Sequence, residues 1–216
     1  ACINAKYRIG TTGTLDDSKV HKLVLEGLFG PVTSVTTTRE LIDKKQLADL
    51  KIVCLVLKHT PKKFETYEDE IQYLIGNETR NNFISKLSVD LKGNTLILYS
   101  RVESHGRILY DMINNFVTKD RKVFFIHGGV DAEDRERVRE ITEQENNAII
   151  VASYGTFSTG INIRRLHNVI FASPSKSRVR NLQSIGRVLR KGKDKVKAKL
   201  YDLSLIHISE PTRPRL

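Results

Sequence analysis

Residues 95–128 read TLILYSRVESHGRILYDMINNFVTKDRKVFFIHG and contain one full unit of the pattern that decides the fold. Two short apolar runs, TLILYS and KVFFIHG, enclose a segment long enough for a helix. The pattern then repeats, because the charged segment DAEDRERVREITEQ leads to the apolar run AIIVAS, and NVIFAS follows. Strands that alternate with helices predict right-handed crossovers between parallel strands. We therefore expect an α/β fold whose parallel sheet has helices on both faces.

Three polar segments directly follow these apolar runs. They are SRVESHG (100–106), HGGVDAED (127–134) and SYGTFSTGINI (153–163). In open parallel sheets, ligands bind in the loops at the carboxyl ends of the strands. The sequence thus predicts that these three loops form one functional edge.

The segment before residue 95 is less regular. A short helix capped by Ser18 is expected to stop at Gly30 and Pro31. Its apolar positions recur at helical spacing, at Val20, Leu23, Val24 and Leu28. The segment TRELIDKKQLADL (38–50) favours a second helix. It leads into KIVCLVL (51–57), which is typical of a strand covered on both faces.

The polar stretch KHTPKKFETYEDEIQYLIGNETR (58–80) is typical of a surface insertion. A helix is predicted to follow, from about Glu78 to Leu91.

Charge and composition limit the class of partner. The chain has 36 Lys and Arg against 25 Asp and Glu, a formal charge of +11, and its sequence pI is about 9.7. This surplus favours a polyanionic partner, although a generically basic protein has the same composition. Apolar runs such as AIIVA (148–152) are far too short to cross a bilayer, so nucleic acid is preferred to membrane. Cys2 and Cys54 are too few for a disulfide framework or a zinc cluster, which favours a reducing cytoplasm.

Three stretches have the chemistry of a phosphate site, and the shortest is TTGT (11–14) near the start. ASYGTFSTGINI (152–163) combines glycines with small hydroxyl residues and allows close backbone approach to phosphate and sugar oxygens. QSIGRVLR (183–190) supplies Arg187 and Arg190, whose guanidinium groups match phosphate oxygens. Helical spacing predicts that Gln183 shares their face, with Gly186 leaving room for a neighbouring backbone. Surface ion pairs and ordinary turn chemistry remain the alternative explanations.

These stretches resemble the motifs of superfamily 2 helicases, and above all the phage helicases of recombination and repair. TTGT (11–14) is similar to the coupling motif of the first RecA-like domain, and LILYSRVESHG (96–106) to motif IV. ASYGTFSTGINI resembles motif V, and QSIGRVLR resembles motif VI. The resemblance covers nearly all of residues 1–202. It implies a RecA-like helicase C-terminal domain at 38–202, preceded at 1–37 by a remnant of the first domain and a linker.

The resemblance also implies roles for single residues. Arg187 and Arg190 would be arginine fingers that reach the γ-phosphate of ATP held by the other RecA-like domain. Gln183 would sense the nucleotide from the same helix. Gly160 and Asn162 would lie near the ATP ribose, although many relatives have Asp where this chain has Asn162.

A nucleic-acid track is implied as well. The residues that would face the backbone are Ser100, Arg101, His127, Gly128, Thr156 and Ser158. Thr12 and Thr14 would link nucleotide state to strand movement. His105 and His127 have neither metal-like spacing nor a carboxylate partner, which favours structural over catalytic roles. No metal ligand and no general base is predicted.

The 216 residues contain neither a GxxxxGK[ST] phosphate loop nor a DExH-like acidic motif. The chain is therefore expected not to hydrolyse ATP alone, but to be half of an ATP-dependent DNA helicase that remodels branched or stalled-fork DNA. ATP and Mg²⁺ would be bound mainly by the N-terminal helicase domain, a partner along with DNA, in the cytoplasm of an infected bacterium. Backbone contacts discriminate weakly between DNA and RNA, so the DNA prediction depends on the resemblance.

Two other classes of protein are alternatives. A stand-alone, non-catalytic nucleic-acid-binding module would show the same basic surface. A small-molecule enzyme with a doubly wound sheet would need a GxGxxG fingerprint after a strand, and the sequence has none.

The last residues, 203–216, do not continue the pattern. LSLIHISEPTR (203–213) resembles the translation of a sequencing adapter, so the tail is expected to be non-native. The alternative is a natural C-terminal strand, SLIHIS.

Overall fold

The computed structural model describes residues 6–13, 19–57, 64–118, 120–160, 163–175, 177–192, 195 and 197–203. Its helices are α1 (Lys19–Phe29), α2 (Thr38–Asp43), α3 (Tyr67–Gly76), α4 (Glu78–Asp90), α5 (Ile108–Phe116), α6 (Ala132–Gln144), α7 (Tyr154–Gly160) and α8 (Arg178–Val188). Its strands are β1 (Asp49–Cys54), β2 (Thr95–Tyr99), β3 (Val123–Ile126), β4 (Ile149–Ser153), β5 (Asn168–Phe171) and β6 (Lys197–Asp202). A π-helical turn, Val102–Arg107, leads into α5.

The six strands form one sheet in the order β1-β6-β5-β2-β4-β3. Every pair is parallel, which confirms the predicted parallel sheet. The carboxyl ends of all the strands therefore lie along one edge, here called the carboxyl edge, and their amino ends lie along the opposite amino edge. The loops predicted to share a functional edge all begin at the carboxyl edge.

Helices cover both faces of the sheet, also as predicted. On one face, Leu98 of β2 belongs to a buried cluster with Phe157 of α7 and Val188 of α8. On the other face, Ile97 belongs to a cluster with Leu109 of α5. The two faces separate neighbouring residues because side chains alternate along a strand. Burial of each such side chain contributes about 1.5–3 kcal/mol.

Two predictions about the first half of the chain are wrong. β1 is an edge strand paired with β6, and its Ile52 is 45% exposed, so β1 is not covered on both faces. The helix predicted at 38–50 ends at Asp43. Lys45 has a left-handed backbone (φ 56°), a conformation that cannot continue a right-handed helix. Leu47 instead forms an antiparallel bridge with Arg190.

α3 was not predicted, because its sequence was interpreted as a surface insertion. Thr66 and Asp69 form a reciprocal capping box at its start. The apolar residues Ile71, Leu74 and Ile75 are buried at helical spacing. The Thr-x-x-Asp pattern followed by apolar residues is the sequence signal that identifies such a helix. The next helix, predicted from Glu78 to Leu91, is confirmed as α4.

The two ends of the described chain differ. α1 confirms the predicted helix, and Gly30 (φ 87°) ends it by donating its N–H to Glu26 O at 2.9 Å. Ser18, its predicted cap, lies outside the described residues. At the other end, Leu203 is buried and donates its N–H to Phe171 O at 3.3 Å, so this residue belongs to the domain rather than to the predicted tail. Residues 204–216 lie outside the described residues.

Candidate functional site

The motif V and motif VI sequences meet in the structure. Gln183 and Arg187 lie four residues apart on α8, where Gln183 is exposed and Arg187 is half-buried. The Arg187 guanidinium carbon lies 6.0 Å from the centroid of the Phe157 ring on α7. At that distance an arginine is attracted to the negative face of an aromatic ring. The fold thus brings the predicted nucleotide helix against the motif V helix.

Arg190 departs from the prediction that it shares the helix face of Gln183 and Arg187. α8 ends at Val188, and Arg190 lies beyond it in the antiparallel bridge with Leu47. Its N–H donates to Arg187 O at 3.4 Å. The spacing of three residues between the two arginines is therefore spanned by the end of a helix and not by a full helical turn.

The charges of the two arginines nevertheless interact. Burial lowers the pKa of Arg187, and the like charge of Arg190 lowers it further. Two guanidinium groups that repel each other are stabilised by an anion between them. An arginine pair beside a motif V helix is thus suited to bind the phosphates of a nucleotide.

A buried lysine holds the end of α8. The Lys195 ammonium donates to the carbonyl oxygens of Val188, of Arg190 at 3.1 Å and of Arg164 at 3.3 Å. Burial lowers the pKa of Lys195 to about 8. Lys195 precedes β6, which places the end of α8 near the amino edge and away from the loops at the carboxyl edge.

Four predicted nucleic-acid residues lie at the carboxyl edge. Ser100 and Arg101 follow β2, where both are exposed, and Arg101 forms an ion pair with Glu68 of α3. His127 follows β3, and its Nδ1 accepts the N–H of Gly129 at 3.1 Å. Gly128 is exposed in the same turn.

Thr156 is placed differently from the other predicted track residues. It is only 6% exposed, and its Oγ1 lies 2.8 Å from Ser153 Oγ. Its N–H also donates to Ser153 Oγ at 3.2 Å. In this conformation Thr156 stabilises the start of α7, and its contact with a nucleic-acid backbone stays a prediction.

The structure describes the remaining predicted residues only in part. Ser158 and Gly160 lie within α7. Thr12 is exposed in the segment before α1. Asn162 and Thr14 lie outside the described residues.

A chain of buried polar groups lies below the carboxyl edge. The Ser100 N–H donates to Ser173 Oγ at 3.1 Å, and Ser173 Oγ lies 2.9 Å from His105 Nδ1. His105 Nε2 lies 3.2 Å from Asn81 Oδ1, and Asn81 Nδ2 donates to Ile75 O at 2.8 Å. Burial, and then the charge of Arg80, lower the pKa of His105 to about 3.

Two further buried side chains extend this network. Arg80 Nη2 donates to Ala172 O at 2.6 Å and to Leu203 O at 2.9 Å. Burial lowers the pKa of Arg80 to about 10, so the guanidinium stays charged at neutral pH. The Tyr154 hydroxyl donates to Ser173 O at 3.0 Å. The carboxyl ends of β2, β4 and β5 are thereby held together.

Sequence reasoning missed Arg80, Ser173 and the ion-pair partner Glu68. Ser173 had a signal, because the apolar runs of β2, β4 and β5 all end in serine, as LILYS, IIVAS and VIFAS. No local pattern marks Arg80 or Glu68, since their partners are distant in sequence.

The family model described as "Helicase conserved C-terminal domain" matches residues 79–192. The chain belongs to this family. The ATP-dependent DNA helicase uvsW of Enterobacteria phage T4 is 37% identical over 208 residues, which are 93% of this chain and 41% of that protein. This helicase C-terminal domain thus spans about two fifths of the length of its curated relative.

Solved structures agree with this assignment. The crystal structure of T4 UvsW matches with a TM-score of 0.62 and 32% identity, over 88% of this chain and 38% of that chain. The DNA-bound ATP-dependent Type ISP restriction-modification enzyme LlaBIII matches with a TM-score of 0.56 and 19% identity, over 91% of this chain and 14% of that chain. The second match shows the fold alone. The predicted superfamily 2 helicase C-terminal domain and its RecA-like sheet are confirmed.

The described residues lack two other kinds of feature, a membrane-spanning helix and a metal-binding cluster. Among the described residues, no helix is long and apolar enough to cross a membrane. Within the same ranges, no group of three or more His, Cys, Asp or Glu residues is arranged to hold a metal ion.

Proposed function

We propose that this helicase C-terminal domain is the arginine-donating half of an ATP-dependent DNA helicase that remodels branched DNA during recombination and repair. The observation that carries the proposal is the pair Arg187 and Arg190, two electrostatically coupled guanidinium groups beside the motif V helix. Such a pair fits the charge that develops on a transferred γ-phosphate. The similarity to a phage helicase favours action in an infected bacterial cell.

ATP would bind between this domain and a RecA-like domain that carries a phosphate loop. That domain would also bind Mg²⁺, because this sequence has no DExH-like acidic motif. Gln183 would act from the face of α8, and Gly160 and Asn162 near the ribose. We assign residues 1–37, with Thr12 and Thr14, to the neighbouring domain and linker. Several exposed apolar residues in this segment support the assignment, since Tyr7, Ile9 and Val35 are 77%, 87% and 92% exposed.

DNA would bind at the carboxyl edge, along Ser100, Arg101, His127 and Gly128. Ser158 of α7 would continue the track. Arginine and backbone N–H groups bind phosphates without reading sequence, so affinity should fall steeply with salt. The stand-alone binding module differs from this proposal in one respect, because it would bind DNA in the same way without any effect of ATP.

Arg101→Ala is expected to weaken DNA binding and to reduce the slope of log affinity against log salt by about 1, since one phosphate contact is lost. Glu68→Gln should instead raise affinity by up to about fivefold, because the carboxylate that competes for Arg101 is neutralised. Fluorescence anisotropy with a labelled forked DNA at several salt concentrations measures both. An unchanged slope in Arg101→Ala, or weaker binding in Glu68→Gln, would remove Arg101 from the track.

Gly186→Ala tests whether a second domain approaches α8 closely, because the substitution should affect stability and ATPase activity in opposite directions. In the described part of the chain, nothing lies within 4 Å of a Cβ added at Gly186. Alanine inside α8 should therefore stabilise the helix by about 1 kcal/mol. If a neighbouring backbone approaches this face, the same change should lower ATPase activity about tenfold to a hundredfold through misplacement.

Thermal unfolding of the chain and ATPase activity of the chain joined to a phosphate-loop domain test this prediction. Gly76→Ala is the matched control, because a Cβ there also meets nothing within 4 Å and α3 carries no proposed ATP contact. Raised stability with full ATPase activity in Gly186→Ala would contradict the proposed approach of a second domain.

A further inference from the structure

We propose that His105 is a positioning residue for the DNA-binding loop that follows β2. It acts as the neutral Nε2–H tautomer within a hydrogen-bond chain of fixed direction. The inference rests on the proposed function, because it assumes that Ser100 and Arg101 contact DNA. His105 itself is fully buried, so it would act through the loop and not by direct contact with the nucleic acid.

The donor-to-acceptor direction of this series of hydrogen bonds follows from its end at Ile75 O. Ile75 O is a carbonyl and can only accept, so the amide nitrogen of Asn81 points towards it. Asn81 Oδ1 then faces His105 and must also accept. His105 Nε2 therefore carries the hydrogen. In a neutral imidazole the other nitrogen, Nδ1, is then an acceptor.

The near end of the chain completes the assignment. Because His105 Nδ1 accepts, the Ser173 hydroxyl donates to it. A lone pair of Ser173 Oγ remains for the Ser100 N–H. Every donor in the chain thus meets an acceptor, from the loop after β2 to the end of α3.

The other states of His105 break this match. The Nδ1–H tautomer would place two acceptors, Nε2 and Asn81 Oδ1, face to face. Rotating the Asn81 amide would repair that contact but would turn Oδ1 towards Ile75 O. The imidazolium is disfavoured because burial and the charge of Arg80 lower the pKa of His105 to about 3.

Hydrogen bonds fix the backbone on both sides of Arg101. Ser100 is bound to Ser173 on β5's carboxyl end, and Gly106 donates its N–H to Arg101 O at 2.9 Å. Gly106 also lies directly on the Tyr99 ring, since an added Cβ would be 2.4 Å from that ring. His105 anchors this turn from below, so it sets where the Arg101 side chain leaves the surface.

The test compares DNA binding by three single variants and one double variant of the 216-residue protein, measured by fluorescence anisotropy at a temperature where each is fully folded. His105→Phe and Ser173→Ala should each weaken binding about tenfold, through loss of one buried hydrogen-bonded anchor. His105→Gln should stay within about twofold, because its amide N–H can donate and its amide oxygen can accept within the same site. The double variant, His105→Phe with Ser173→Ala, should bind DNA about as tightly as either single variant, because both substitutions interrupt the same series of hydrogen bonds.

The outcomes separate the inference from the proposed function. If Arg101→Ala weakens binding but neither His105→Phe nor Ser173→Ala does, the positioning role is overturned and the DNA track stands. If the unaltered chain does not bind forked DNA at low salt, the proposed function fails, and the inference fails with it. Nitrogen NMR of the His105 ring gives a readout independent of DNA. An Nε2–H signature is expected, and an Nδ1–H or doubly protonated ring at neutral pH would contradict the proposed series of hydrogen bonds.

Discussion

Arg187→Ala should lower DNA-stimulated ATP hydrolysis by about 10³-fold or more in a protein that joins this chain to a phosphate-loop domain. The guanidinium is half-buried against Phe157 and repelled by Arg190, so a nearby anion such as the γ-phosphate would stabilise its charge. DNA binding should stay within a few fold, because the loops of the carboxyl edge do not include α8. Steady-state ATPase assays with saturating forked DNA measure the loss.

Arg137→Ala is the matched control for this prediction. Its side chain is 74% exposed on α6 and pairs with Asp134 at 3.6 Å, which is an ordinary surface contact. Arg190→Ala should behave like Arg187→Ala despite lying beyond the helix, since both charges would meet the same phosphate. Loss of DNA binding with intact ATPase activity in Arg187→Ala would overturn the arginine-finger assignment.

Arg80→Met is expected to lower the free energy of unfolding by about 2–5 kcal/mol. Methionine fills a similar volume but leaves Ala172 O and Leu203 O without the donor that the guanidinium supplies. Those two carbonyls follow β5 and β6, so loss of these two hydrogen bonds should also loosen the attachment of β6. Arg80→Lys should recover part of the loss, because an ammonium group can replace some of these bonds.

Chemical denaturation of the 216-residue chain measures this effect, and Arg137→Met provides the matched exposed control. The control should change stability by less than about 0.5 kcal/mol. Thermal midpoints should fall by about 2–4 °C for each kcal/mol in a chain of this size. Equal midpoints for Arg80→Met and the control would mean that these two bonds do not stabilise the domain.

The sheet could be predicted from sequence because its central strands have a simple signal. β2 and β4 are buried on both faces, and that burial requires short apolar runs between helical segments. β1 has the same apolar character but lies at the sheet edge, where it is largely exposed. Apolar content therefore identified β1 to β5, but it missed β6, whose sequence KAKLYD alternates apolar with charged residues, and it did not distinguish an edge position from a central one. α3 was missed because its many charged residues were interpreted as a surface insertion and its capping box was not recognised.

The candidate site could be predicted only as far as its residues are close in sequence. Arg187 and the motif V residues were predicted as site residues because each belongs to a compact pattern. The contacts of Ser173 connect residues 73 and 68 positions apart, and those of Arg80 reach 92 and 123 positions along the chain. Such partners depend on strand order, which no local pattern shows. The placement of Arg190 beyond α8 was missed because the motif spacing also fits a continuous helix.

The most direct test of the account is DNA-stimulated ATP hydrolysis by this chain alone and by the same chain covalently joined to a phosphate-loop domain of a superfamily 2 helicase. The account predicts no hydrolysis by the chain alone and activity in the joined protein that Arg187→Ala removes. A joined protein that is folded and binds DNA, but hydrolyses no ATP, would contradict the helicase proposal and favour a non-catalytic binding module. Hydrolysis by the chain alone would contradict it as well.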